Sequence, residues 1–179
     1  MRSTGRFVSI LGLIALAGCV SSGDPSAVRP LAIAPEAALA SVNAFRQEND
    51  LPALRLDERL MAAARQQSDA MAARGRLDHD VAGRLTGRLD RAGYDWSATA
   101  ENIGRGYRDY PAAMEGWIGS PEHRRNLLNP RVTEIGFAGS VDSRDGRNYW
   151  TQIFGAEREA MPAGVTMSNA PTGEWWPPR

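Results

Sequence analysis

One cysteine and two histidines are all that 179 residues supply of the usual metal-binding and redox side chains. A single thiol excludes an internal disulfide and any cysteine-rich zinc module, and two imidazoles exclude a three-histidine metal site. Lysine is absent: all 21 basic residues are arginine, matched by 21 Asp and Glu, so the formal net charge is zero. Without a positive surplus to displace counterions from phosphates, the balance argues against a nucleic-acid binder. No apolar run approaches the ~20 residues a membrane-spanning helix needs. Disorder of the bulk is excluded as well, because 42% hydrophobic and 23% charged residues suit one globular domain.

What is present begins with a leader. Arg2 and Arg6 make a basic start, and Phe7 to Ala17 is apolar except for Ser9 and Gly12. That length fits a signal-peptide core, and residues 1–18 are set apart from the fold. Leu16-Ala17-Gly18-Cys19 follows and resembles a bacterial lipobox, which implies lipid on the Cys19 thiol and cleavage just before it. A diacylglycerol plus an N-acyl chain exceeds the two anchoring signals that stable membrane attachment requires. Val20 in place of Asp implies, by the same resemblance, the outer membrane, facing the periplasm or the cell exterior. Residues 19–35, rich in Ser, Gly, Pro and Ala, read as a flexible tether.

Residues 36–155 carry the periodic segments. Glu36 to Asn49 places Leu39, Val42 and Phe45 at helical spacing. Asp57 caps a second helix with Leu60, Ala64 and Met71 on one face, ended by Gly75. A shorter helix over Gly83 to Ala92 ends at Gly93, and the stretch from it to Asp109 reads as a connection. Asp109 caps a fourth helix with Pro111 in its first turn and Met114 and Trp117 inward; Ser120-Pro121-Glu122 opens a fifth. Thr133 to Val141 and Arg147 to Phe154 read as strands joined by the turn Ser143-Arg144-Asp145-Gly146. Helices first and a hairpin last predict an α+β fold. Residues 156–179 lack periodicity and read as an irregular tail, with Trp175 and Trp176 available to a membrane interface.

Four segments hold polar residues that look out of place: Leu77-Asp78-His79-Asp80, Ala100-Glu101-Asn102-Ile103-Gly104, Ser120 through Pro130, and Asn148 through Phe154. Together and in this order they resemble the bacterial branch of the CAP superfamily, also called the SCP-like domain (cysteine-rich secretory protein, antigen 5, pathogenesis-related 1). The resemblance covers about residues 35–155 and implies an α-β-α sandwich, helices packed around a small antiparallel sheet. It also implies a cleft that gathers His79 and Glu101. Animal and plant members add a second His where this chain has Tyr149, and many add a Glu where it has Ser120. Bacterial members carry instead the His of the SPxHR motif, here His123.

Two imidazoles and one carboxylate can do three things. They can hold a divalent metal such as zinc on His79 and His123 with Glu101, although no HExxH spacing assembles that set on one helix. They can act as acid and base. Or they can form a hydrogen-bonded network that ties loops to the sheet. Arg124 and Arg125 are expected to divide into one carboxylate partner and one solvated side chain, and Asn102 to brace a loop. The leading expectation is an exported, lipid-anchored binding module. His79, Glu101, His123 and Tyr149 line its cleft for a lipid, another small hydrophobic ligand or an envelope protein. The alternative is a metal-assisted hydrolase acting on cell-wall or extracellular peptide.

Overall fold

A computed structural model describes residues 28–159, so Cys19, the leader and the tail beyond residue 159 lie outside the described residues. The elements in chain order are β1 (Val28–Pro30), α1 (Pro35–Gln47), β2 (Arg55–Leu56), α2 (Glu58–Arg74), α3 (Leu85–Arg91), β3 (Trp96–Arg105), α4 (Tyr110–Gly119), α5 (Pro121–Leu127), β4 (Glu134–Asp142) and β5 (Arg147–Glu157). One sheet runs β1-β4-β5-β3 with every pair antiparallel, and β2 adds to β4 in parallel.

Local chemistry sets the helix ends. Pro35 opens α1, where its missing N–H costs nothing. Asp57 accepts from the backbone N–H groups of Arg59 (2.9 Å) and Leu60 (3.1 Å) at the start of α2. Gly75, at φ 62°, ends that helix in the left-handed conformation. Asp109 caps α4 through the Ala112 N–H at 2.9 Å.

Alternation along the strands builds the two packing layers. Ile135, Phe137, Trp150 and Phe154 face α1, α4 and α5, meeting Val42, Phe45, Tyr110, Met114 and Trp117. Ala138 and Ile153 face α2, where they meet Leu60, Ala63 and Ala64, with Leu89 of α3. Gly136 sets the closeness of that second layer. A Cβ there would lie 2.2 Å from the backbone of Leu60 and Met61, so the first turn of α2 rests directly on β4.

Three strands depart from the sequence expectation. Val28–Pro30, read as tether, pairs with Ser140 to Asp142 at the sheet edge. Trp96–Arg105, read as a connection, is a ten-residue strand whose partner is β5, and β2 is a short addition beside the α2 cap. Beyond Phe154, β5 continues to Glu157.

Candidate functional site

The site is built on the outer strand β3, which places neighbouring residues on opposite faces of the sheet. Glu101 lies opposite Ile153 and so faces the α2 and α3 side; Asn102 lies opposite Gln152 and faces the other. On the first side the loop after α2 is pinned down. Gln67 of α2 donates to the Asp78 carbonyl at 2.7 Å. Arg88 of α3 donates to the carbonyls of Gly83 (3.0 Å) and His79 (3.3 Å).

These anchors bring His79 and Arg88 to the two oxygens of one carboxylate. His79 Nδ1 lies 2.7 Å from Glu101 Oε1, and Arg88 donates to Oε2 at 2.6 Å. Arg88 is wholly buried and the Glu101 side chain is 3% exposed, while that of His79 is 57% exposed. The hydrogen bond to Glu101 raises the His79 pKa above the usual imidazole value, against the opposing pull of burial. With Nδ1 committed to the carboxylate, Nε2 is the ring nitrogen His79 can offer outward.

On the second side Asn102 is fully buried. It donates to the His123 carbonyl and to Gln152 Oε1, each at 3.2 Å, and accepts from Asn126 at 2.9 Å. Asn126 also donates to the Glu101 carbonyl at 3.0 Å. Helix α5, through the His123 carbonyl and the Asn126 side chain, is thereby fastened to Asn102 and to the backbone of Glu101, whose side chain holds His79. His123 Nδ1 lies 2.8 Å from Ser120 Oγ, so that hydroxyl engages the imidazole and makes no cap bond to the helix. Burial lowers the His123 pKa, and the charge of His79 lowers it further. The two imidazoles are thus driven apart in basicity, one towards the cation and one towards the neutral ring.

His79 and Glu101 therefore meet, while His123 is tied to β3 through its backbone carbonyl on Asn102 and turns its imidazole to Ser120. Tyr149 joins neither. It is fully buried beneath α2 with Met71, Ala72 and Ile103, because its position on β5 turns it into the packing layer. Its hydroxyl finds no hydrogen-bond partner among the described residues. Asn102, expected to brace a loop, sits within a strand and braces α5. Among the described residues neither Arg124 nor Arg125 pairs with a carboxylate: Arg124 donates to Asn49 at 3.1 Å and stacks over the Phe45 ring, and Arg125 is exposed.

The zinc set of His79, His123 and Glu101 does not fit this arrangement. Among the described residues no group of three or more His, Cys, Asp or Glu side chains is placed to hold a metal ion. The reason is local: a buried guanidinium occupies one oxygen of Glu101 and an imidazole the other, so a dication would face a fixed positive charge. The same two partners and the lack of exposure keep a substrate proton from reaching that carboxylate, which disfavours it as a general base. Arg88, Asn126 and Gln152 carry the network; Asn126 and Gln152 lie within the conspicuous segments but had no role assigned, and Arg88 lies outside them as one arginine among 21.

An apolar concavity lies elsewhere, between α1 and α4. It encloses about 440 Å³ and is lined by apolar side chains that include Ile33, Ala37, Met114 and Ile118. Its polar lining is Ser41, Asp109 and Glu115, with no basic residue.

A sequence model of the cysteine-rich secretory protein family, CAP, matches residues 39–154. The uncharacterized protein YkwD of Bacillus subtilis is 34% identical over 114 residues, 63% of this chain and 43% of that one. The uncharacterized membrane protein YlbC of the same organism is 35% identical over 63% of this chain and 31% of its own. This chain thus spans less than half the length of both relatives. An extracellular protein containing an SCP domain from Bacillus anthracis superposes with a TM-score of 0.62 at 30% identity, over 68% of this chain and 40% of that one. An outer surface protein from Borrelia burgdorferi shares the fold, with a TM-score of 0.65 at 16% identity over 73% and 98% of the two chains.

Proposed function

This chain belongs to the cysteine-rich secretory protein (CAP) family, and from that premise we propose that it is an exported, lipid-anchored binding module. Its ligand is a neutral molecule with a long apolar body, held in the groove between α1 and α4. Export and anchoring draw on the leader and the Leu-Ala-Gly-Cys19 sequence. The extracellular and outer-surface descriptions of the two structural relatives point the same way.

The groove is the observation that carries the reading. Its volume of about 440 Å³ falls within the ~300–1,000 Å³ of small-molecule sites. Apolar walls favour an alkyl body, and Glu115, which has no ion-pair partner among the described residues, selects against an anionic head. His79 Nε2 and His123 then serve as polar contacts for an envelope partner, and the Arg88–Glu101 pair as the brace behind them.

The test is direct binding of a solvatochromic long-chain alcohol, with the matching fatty acid as comparison. Ala37 is exposed on α1 and lines the groove, so Ala37→Trp fills the space without disturbing the core. The expected result is binding of the alcohol, at least tenfold weaker binding of the acid, and at least tenfold loss in Ala37→Trp. Equal binding by both proteins, or none by either, would overturn the groove reading.

A further inference from the structure

We propose that the end of the domain carrying the β4–β5 turn docks on the phosphate groups of an anionic lipid bilayer. Several chain segments converge there. Val28, the first described residue, pairs with Asp142 at the end of β4. Arg144 in the turn donates to the carbonyls of Ala72 (3.1 Å) and Ala73 (2.9 Å), which brings in the end of α2. The end of β3 joins through the Gly106 N–H on the Asn148 carbonyl at 2.8 Å. Asn148 also donates to the carbonyls of Tyr107 (3.1 Å) and Arg108 (3.2 Å).

These segments bring seven arginines to one end: Arg29, Arg74, Arg76, Arg105, Arg108, Arg144 and Arg147, all exposed. Five aspartates accompany them and four are already paired; the fifth, Asp80, is exposed, donates its backbone N–H to the Asp78 carboxylate at 2.8 Å and has no ion pair among the described residues. Asp142 is buried and bound to Arg144 at 2.7 Å, Asp109 is held by Arg108 at 3.0 Å, Asp145 by Arg147 at 3.5 Å, and Asp78 by Arg76. Among the described residues no ion pair engages Arg29, Arg74 or Arg105, and Arg29 spends only its Nε on Ser143 Oγ, at 3.1 Å. The rest of residues 28–159 has eleven arginines against fourteen acids. A chain neutral overall is therefore split into a basic end and an acidic remainder.

The position of that end identifies what it meets. Eight residues separate Val28 from Cys19, a reach of about 30 Å when fully extended. With lipid on Cys19 the basic end is the part of the domain held nearest the bilayer. Cationic side chains within a Debye length of anionic headgroups add to attachment and set the orientation of the domain on its anchor. The docked orientation rests on the lipid-anchor reading, but the affinity of the surface for anionic vesicles does not.

The experiment uses the mature chain from residue 19 with Cys19→Ser, so that no acyl chain contributes. It is sedimented with vesicles of phosphatidylethanolamine and phosphatidylcholine, with or without phosphatidylglycerol. The expected result is binding only to the vesicles that contain phosphatidylglycerol, weakening as salt is raised. The triple variant R29Q/R74Q/R105Q should lose about a hundredfold in partition coefficient. The control R84Q/R131Q, exposed arginines outside this end, should lose little. Unchanged thermal unfolding of both variants shows that folding is not at issue. Binding without preference for phosphatidylglycerol, no binding at low salt, or equal loss in the two variants would overturn the proposal. Mass measurement of the membrane-extracted protein tests the lipid on Cys19 separately.

Discussion

Replacing Glu101 by Gln removes one charge from a nearly isosteric side chain and leaves Arg88 as a cation with no exposed surface. Breaking a buried ion pair from one side costs about 3–5 kcal/mol, because the remaining charge stays desolvated. Here the cost falls near the lower end. The Gln carbonyl can still accept from Arg88, and the carbonyls of Gly83 and His79 remain as acceptors. About 3 kcal/mol is a large share of the 5–15 kcal/mol typical of a domain, yet the protein should fold. Urea titration at neutral pH reads the loss as a shift in midpoint at constant slope. Arg88→Met, which removes the guanidinium and leaves the carboxylate with His79 alone, supplies the other arm of a double-mutant cycle. Coupling of about 2 kcal/mol between the two positions is expected, since the double variant leaves no uncompensated charge. A loss below about 1 kcal/mol for Glu101→Gln, or strictly additive costs, would refute the claim that this pair braces the site.

Two further outcomes are open to simple assay. His79 binds its proton more tightly in the fold than in the unfolded chain, so its stabilisation is full below the unfolded pKa of about 6.5 and fades as pH rises through the elevated folded value. His123 has the opposite sign: its contribution is full above about 6.5 and is lost as pH falls towards its depressed value. In unfolding midpoints between about pH 5 and 8, His79→Gln should flatten the decline on the alkaline side and His123→Gln that on the acid side; identical profiles in all three proteins would contradict this. Gly136→Ala would set a methyl 2.2 Å from the backbone of α2, beyond what rotamer change can relieve. It should cost at least the ~1–3 kcal/mol of ordinary overpacking, read as a drop in melting temperature, and a wild-type value would show that α2 is free to shift.

Much of this fold is written locally. Asp57 and Gly75 bracket α2 as their chemistry requires, Pro35 and Asp109 open their helices, and Ser143 to Gly146 turn the hairpin. The strand β3 was not legible, because Ser97-Ala98-Thr99-Ala100-Glu101-Asn102 is poor in β-branched and aromatic residues and extends only because β5 pairs with it. The same hidden strand explains what could and could not be read of the site. Its motifs pointed to His79, Glu101 and His123, and the first two touch. That Glu101 and Asn102 face opposite layers, and that a buried arginine waits behind the carboxylate, depends on pairing no sequence pattern displays. Tyr149 was assigned by position in a motif, whereas strand alternation sends its ring under α2.

The free edge of β4 is covered by two short pieces, β2 beside Glu134 and Ile135 and β1 beside Ser140 to Asp142. They overlap the ends of Ile135 to Val141, a run without a single charge, the composition that templates intermolecular strand addition when its amides are left unpaired. The chain segment that leads out towards Cys19 is therefore also a guard against self-association: tension on it loads the β1 hydrogen bonds, and detachment would uncover a sticky margin. Truncations that trim the domain back to its first helix remove that guard, and such versions should clump at concentrations where the longer chain stays dispersed.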